Sequence, residues 1–310
     1  MSDAPIRTAP RGRPGASGVR RAASYGIVSS AAFGAAGAAG DSSMSDDKNT
    51  VKSVVKAFTV LQAFGPDASE LVLADVARAA GLDNGTAFRL LNTLVSLGYV
   101  EKVPDTRRFR LTFKCLDLGF NAIARSDLRS LARPLLRAMV SDRIEAASIG
   151  VLDGQEVVYI ERIQAGLARL AVDVRIGYRI PAYSSALGRA ILSRMPVDVQ
   201  RALLEASSPR QLTAHTVTEI DRLLAQIAQA RTDGYAVSDQ ETVTGLRVIA
   251  APILDEDGVP IAALSAVAPS FGRTLEEFIA DASEATCEAA RRLSLAVRAA
   301  GGTAAQHTTT

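Results

Sequence analysis

The sequence predicts an α+β chain: an N-terminal winged helix-turn-helix, a linking helix, and a larger α+β domain around an antiparallel sheet. Three observations predict it. Residues 73–99, LADVARAAGLDNGTAFRLLNTLVSLGY, carry two amphipathic helical periods joined at Gly81. A basic stretch that alternates about Pro104-Asp105 follows directly, as a small β-hairpin does. Beyond residue 127 the order becomes helix, strands, helices, strands, helix, the order of an α+β fold with helices grouped on a sheet.

The elements follow in turn. Residues 1–49 are rich in Ala, Gly, Ser and Pro without helical or strand period, and are expected to be a disordered extension. Arg20-Arg21 faintly suggests a twin-arginine signal, but Gly and Ser interrupt the run behind it. Met44 is the expected natural start, and native peptides from upstream of it would refute that. Residues 51–64 form a helix with Val51, Val54, Val55, Phe58 and Leu61 as its inward stripe, stopped by Gly65-Pro66. Leu71-Val72 forms a short strand against the wing.

In the next helix Leu73, Val76, Ala77 and Ala80 share a face, and Gly81 takes the left-handed C′ position. Asp83 or Asn84 caps the helix after it, which buries Ala87, Leu90, Leu91 and Leu94 and ends at Gly98. Gly85, Thr86, Arg89, Asn92, Thr93 and Ser96 then face outward. These are small or hydrogen-bonding groups that fit a major groove, with Arg89 able to take a guanine edge or a phosphate. In the wing, Lys102, Arg107, Arg108 and Arg110 place positive charge where a phosphate backbone would run. A two-helix piece of an ordinary domain with a solvated basic hairpin would leave the same local pattern.

Residues 113–124 read as a linking helix. Asp127 caps a helix running to Ala146, with Leu128, Leu131, Leu135 and Met139 inward. Residues 147–152 and 156–163 are strands about Asp153-Gly154, a type I′ turn signal. Residues 167–175 make a third strand, 184–194, 197–206 and 217–232 are helices, and 246–254 and 259–268 are strands about Asp257-Gly258. Residues 274–298 form a closing helix. The domains are set at 1–49, 50–112 (winged helix-turn-helix), 113–126 (linker), 127–300 (second domain) and 301–310 (disordered tail).

Composition sets bounds. The chain has 310 residues, 48% hydrophobic and without Trp, at net charge +2. Residues 50–124 hold nine Lys/Arg against seven Asp/Glu, while 125–310 lean acidic, a weak asymmetry that suits a DNA-binding head and a body off the DNA. Cys115 and Cys287 stand far apart with no metal-ligand spacing, so reduced cysteines in a cytoplasm are expected. No run of about 18 apolar residues is long enough for a membrane span. His215 and His307 have no Cys or Asp arrangement about them, which argues against a zinc site or a nucleophilic triad. No cofactor, no metal and no enzymatic activity are expected.

The motifs LADVARAAGL, TAFRLLNTLVSLGYVE and RFRLTFKCLDLG resemble the isocitrate lyase regulator (IclR) family of bacterial transcription factors. LDGQEVVYIERI, GYRIPAYSSALGRAILS, DGYAVSDQE and GLRVIAAPILDEDGVPIAALSAVAP match its second domain in the right order, so the resemblance spans about residues 51–297. It implies a GAF-like effector-binding domain, a small organic acid as effector, double-stranded operator DNA as partner, a dimerising head, and a homodimer or homotetramer. The wording is nearest the branch governing aromatic catabolism through the β-ketoadipate pathway, which implies an aromatic or dicarboxylic acid. RNA polymerase is a further partner to consider. Two alternatives compete: a nucleoid-type DNA-binding protein without effector, and an enzyme domain fused to a DNA-binding head.

On this resemblance Thr86, Arg89 and Thr93 read base edges, with Phe88 against a thymine methyl, and Asn92, Lys102, Arg107 and Arg108 hold the backbone. The recognition helix departs from the family at its start. Asn84 and Gly85 stand where a basic residue and Ser are common, which puts the operator sequence in doubt. Gly85 also weakens the helix by roughly 1 kcal/mol relative to Ala. In the second domain Pro181 precedes a helix start where Ser184 or Ser185 could cap or meet a ligand. Ser184 stands where Cys is common. The backbone of Ser185, Ala186 and Leu187 is the expected carboxylate site, and Ser238, Val248, Ser265 and Val267 match the opposite wall. Asp239 and Glu241 beside that wall read equally as a solvated turn.

Overall fold

The computed structural model describes residues 50–65, 68–123, 128–165 and 174–304. The N-terminal extension, the Asp127 cap, most of the strand expected at 167–175, and the end of the C-terminal tail lie outside the described residues.

The head is built from α1 (Lys52–Gln62), β1 (Leu71–Val72), α2 (Leu73–Ala79), α3 (Asn84–Ser96), β2 (Val100–Lys102) and β3 (Arg108–Leu111). The three strands form an antiparallel sheet in the order β1-β3-β2, so Leu71-Val72 does pair with the wing. Its core is Val60, Phe64, Val76, Leu91, Leu94, Val100 and Phe109, with Leu73, Ala80 and Leu90 packed at its edge. Each fully buried aliphatic side chain here contributes about 1.5–3 kcal/mol. Gly81, at φ +66, ends α2 in the left-handed region a Cβ would resist.

One expectation is largely reversed in α1. Four of the five residues of the stripe read as inward, Val51, Val54, Val55 and Phe58, are exposed, whereas Leu61 packs against the core as expected and Val60 is fully buried. The helix has a second apolar row, Val60 with Phe64, and that row meets the core. Periodicity shows that an apolar face exists, not what covers it.

After the wing come α4 (Lys114–Ile123) and α5 (Leu128–Met139), then β4 (Ala146–Asp153) and β5 (Glu156–Gln164). Next are β6 (Arg179–Pro181), α6 (Ala186–Leu192), α7 (Val197–Ser207) and α8 (Ile220–Asp233). The chain closes with β7 (Ala236–Asp239), β8 (Leu246–Leu254), β9 (Pro260–Pro269) and α9 (Leu275–Ala304). Helix α5 stops seven residues before the expected Ala146, because Ile144 joins the core under α9 and Ala146 already pairs in the sheet. Two short strands, β6 and β7, were not expected. Both are edges of the six-stranded antiparallel sheet β6-β5-β4-β9-β8-β7.

Helices cover both faces of that sheet, not one. Helices α6 and α8 pack over one face, and α5 and α9 over the other. Strand β9 is therefore buried on both sides. Ala263, Ser265 and Val267 share the α6 face, while Leu264, Ala266 and Ala268 face the opposite helices. This explains its continuous run of small and apolar residues. The turn at Asp153-Gly154 is also corrected. Asp153 pairs with Glu156, so Gly154 and Gln155 are the central residues. Only Gly154 has positive φ, at +61, which is the type II′ pattern. Thr274 and Glu277 cap α9 reciprocally, each side chain accepting from the other's backbone N–H, at 3.2 and 2.8 Å.

Candidate functional site

On the head, α3 presents a polar outer side. Asp83 is its N-cap and accepts from the Thr86 N–H at 2.8 Å. Hydrogen bonding from the Thr86 side chain, and then from its backbone N–H, holds the Asp83 carboxyl below its ordinary range. Asn84, Gly85, Phe88, Arg89 and Thr93 are exposed, and Thr86 and Asn92 half-buried. Thr93 Oγ1 donates to the Arg89 carbonyl at 2.9 Å, so it presents its methyl and lone pairs outward.

In the wing the four cations are not equivalent. Arg107 makes no ion pair among the described residues. Arg108 donates to the Glu70 carbonyl at 3.0 Å, which keeps its charge but fixes one amine. Lys102 lies 6.0 Å from the Phe109 ring centre. Arg110 is paired with Glu101 at 2.6 Å and with Glu70 at 3.6 Å, which raises its pKa and internally neutralises it. The wing is therefore less basic than its sequence.

The second domain holds a cavity of about 380 Å³ between α6 and the sheet. The seven residues of α6 are all buried. The helix lies so close to the chain before it that a Cβ on Gly188 would sit 2.3 Å from the Ala182 carbonyl oxygen. Ser185 is its N-cap and accepts from the Gly188 N–H at 3.1 Å. Of the eight residues expected here, Ser185, Ala186, Leu187, Ser238, Val248 and Val267 line the cavity.

Ser184 and Ser265 do not line it. Ser184 is fully buried, and its carbonyl accepts from Ser238 and Thr242 hydroxyls at 3.0 Å each, stitching the start of α6 to β7. Ser265 is on the same face of β9 as Val267 but is fully buried, and its hydroxyl has no partner among the described residues. Glu241 is not on a solvated turn. It is buried against Arg189 at 2.6 Å and accepts from the Val217 N–H. Asp239 pairs with Arg247 at 2.9 Å. Neither carboxylate lines the cavity.

Sequence reasoning missed Tyr159, Arg162 and Tyr178, which do line it. The tyrosine rings are 6.5 Å apart at 39°. Burial pushes the Tyr159 phenol up to about 12. Arg162 was hidden by a β-bulge. Gly150 pairs with Tyr159 and Ile149 with Glu161, so Ile160 is an extra residue on β5. Strict alternation from Tyr159 would aim Glu161 at the cavity. The bulge instead turns Glu161 toward α5, where Arg129 holds it at 2.7 Å, and brings Arg162 to the cavity side beside Ser148. Among the described residues no cluster of acidic, His or Cys side chains could hold a metal, and no helix is long and apolar enough to cross a membrane.

Known proteins share this arrangement. The domain family "IclR helix-turn-helix domain" matches residues 53–104, and "Bacterial transcriptional regulator IclR C-terminal" matches 120–295. The regulator XynR of Escherichia coli K12 is 33% identical over 69% of this chain and 85% of its own length. The Pca regulon regulatory protein of Pseudomonas putida is 33% identical over 73% of this chain and 77% of its own. A solved IclR homologue from Microbacterium hydrocarbonoxydans, crystallised with 4-hydroxybenzoate, superposes with a TM-score of 0.68 at 28% identity. It covers 80% of this chain and 99% of that one.

Proposed function

The chain belongs to the IclR family of bacterial transcriptional regulators, and from that premise we propose that it binds operator DNA through α3 and the wing under control of a small organic acid held between α6 and the sheet. One observation carries the reading: the same chain joins an exposed polar recognition helix to a cavity with no carboxylate among its described lining residues. An acidic ligand would meet no like charge there.

On the DNA side, Thr86, Arg89 and Thr93 read base edges and Phe88 meets a thymine methyl. Asn84 and Gly85 let the helix start approach the backbone. Asn92, Lys102, Arg107 and Arg108 contact phosphates. In the cavity Ser185, Ala186, Leu187, Ser238, Val248 and Val267 contact the effector, and Ser184 and Ser265 support that wall. The exposed apolar residues Val51, at the start of α1, and Val54, Val55 and Phe58 on it, with Phe113 and Leu116 at α4, form a surface that a second head would cover. The reading is thus a homodimer, or a tetramer of two dimers, in the cytoplasm, with RNA polymerase as a further partner. The domain limits 50–112, 113–126 and 127–300 go with it.

The aromatic branch is favoured by the likeness to the Pca regulon protein and to the 4-hydroxybenzoate-bound homologue. Acid binding must shift the DNA-binding equilibrium by differential affinity for two arrangements. Fluorescence anisotropy with DNA from upstream of the gene, titrated with and without 4-hydroxybenzoate, tests this. The expected result is a change in apparent affinity. Identical curves with 4-hydroxybenzoate and a panel of short-chain and aromatic acids would overturn the sensor.

A further inference from the structure

Arg162 is out of balance with its surroundings. Its Nη1 donates to Ser148 Oγ at 3.0 Å, and its Nε is buried with no hydrogen-bond partner among the described residues. No carboxylate pairs with it among the described residues, and none lines the cavity it faces. The other lining cation, Arg179, is already paired with Asp153 and Glu156. Burial pulls the Arg162 guanidinium below its ordinary value. An Arg cannot escape by losing its proton at neutral pH. It therefore stands charged and half-satisfied, partly buried at the cavity wall.

The rest of the wall is chemically different. Tyr159, Tyr178, Leu187, Val248 and Val267 supply rings and aliphatic surface, and the remaining polarity is neutral hydroxyls. We propose that Arg162 is the anchor for the charged end of the effector, and that the effector is a monocarboxylate with an aromatic or apolar body. A second carboxylate would find no free cation among the described lining residues. The anion is placed on β5, where a full charge stands, in preference to the start of α6, whose seven residues offer only a partial charge. Ser148 is the positioning residue, since its hydroxyl fixes the fork of Arg162. The inference rests on the sensor reading of the same cavity and adds which group holds the charge.

The test uses the full chain with benzoate and 4-hydroxybenzoate, their neutral amides, and succinate, by thermal shift and titration calorimetry. The expected result is that an aromatic acid raises Tm and its amide does not, with succinate weaker. Arg162→Met should weaken aromatic-acid binding roughly 10- to 100-fold. It should also leave the Tm without added acid equal or higher, because a partly buried charge with an unpartnered Nε is gone. A merely structural Arg would do the opposite to Tm. Ser148→Ala keeps the charge but loosens it, so acid affinity should fall by less. Unchanged acid affinity in Arg162→Met, or equal binding of acid and amide, overturns the anchor and leaves the sensor standing. No stabilisation of the native chain by any acid overturns both.

Discussion

Arg189 of α6 and Glu241 of the β7–β8 connection form an ion pair at 2.6 Å with side chains only 1% and 7% exposed. Arg189 also donates to Gln226 Oε1 on α8, also at 2.6 Å, and Glu241 Oε2 accepts from Val217 N–H at 3.3 Å. One buried pair thus ties α6, α8 and the connection beside the cavity. Glu241→Ala leaves a buried guanidinium without its counter-ion and should cost about 3–5 kcal/mol. Replacing both partners, as in Arg189→Met with Glu241→Leu, should cost much less. Urea unfolding of both single variants and the double checks this, and a double-variant loss equal to the sum of the two single losses would show that the charges are independent.

Arg89 and Arg107 should fail differently on DNA. Arg89→Ala should weaken specific operator binding by about 1–3 kcal/mol and relax sequence preference. Arg107→Ala should weaken all DNA alike and reduce the salt slope by about one. Arg110→Ala should change least, because Glu101 and Glu70 already neutralise that charge. Anisotropy titrations at several salt concentrations separate the three.

The exposed apolar row of α1 predicts a defect in assembly without a defect in folding. Phe58 is half exposed and Phe113 is 88% exposed. Phe58→Glu combined with Phe113→Glu should shift the chain toward monomer in sedimentation equilibrium and leave its circular dichroism unchanged. A monomeric native chain at micromolar concentration would remove the dimer.

Gly188 allows α6 to lie against residue 182. Gly188→Ala would force its Cβ into the Ala182 backbone and should destabilise by about 1–3 kcal/mol or more. The wall of the cavity moves with α6, so acid affinity should fall too. Tm and calorimetry on one sample test both.

Tyr159 makes stability sensitive to alkali. Its phenol ionises near 12 when folded and near 10 when unfolded. Between those values the unfolded chain has lost a proton that the folded chain keeps, so stability should fall as pH rises from 10 to 12. Tyr159→Phe should remove that part of the slope, read from Tm against pH.

Most of the head could be read from the sequence because its signals are local. The Gly81 stop, the Asp83 cap, the α3 core row and the wing turn each depend on a few neighbouring residues. The second domain yielded its long strands and its closing helix for the same reason. The short edge strands β6 and β7 carry too few residues to show a period, and only their partners β5 and β8 define them. Six of the expected effector residues fell on the cavity wall, carried there by the family resemblance and not by periodicity.

The sequence by itself determined that two domains exist, which one carries a recognition helix, and where the main helices and strands lie. It did so because helical and strand periods, caps and turn residues act over a few positions. The tertiary structure alone decided which apolar row of α1 is covered, which wing cations are spent on Glu70 and Glu101, and that Glu241 is buried against Arg189. It alone placed Arg162 in the cavity, because one extra residue at Ile160 inverts every later side chain on β5. Such facts depend on which distant surfaces meet, and no local pattern encodes that meeting.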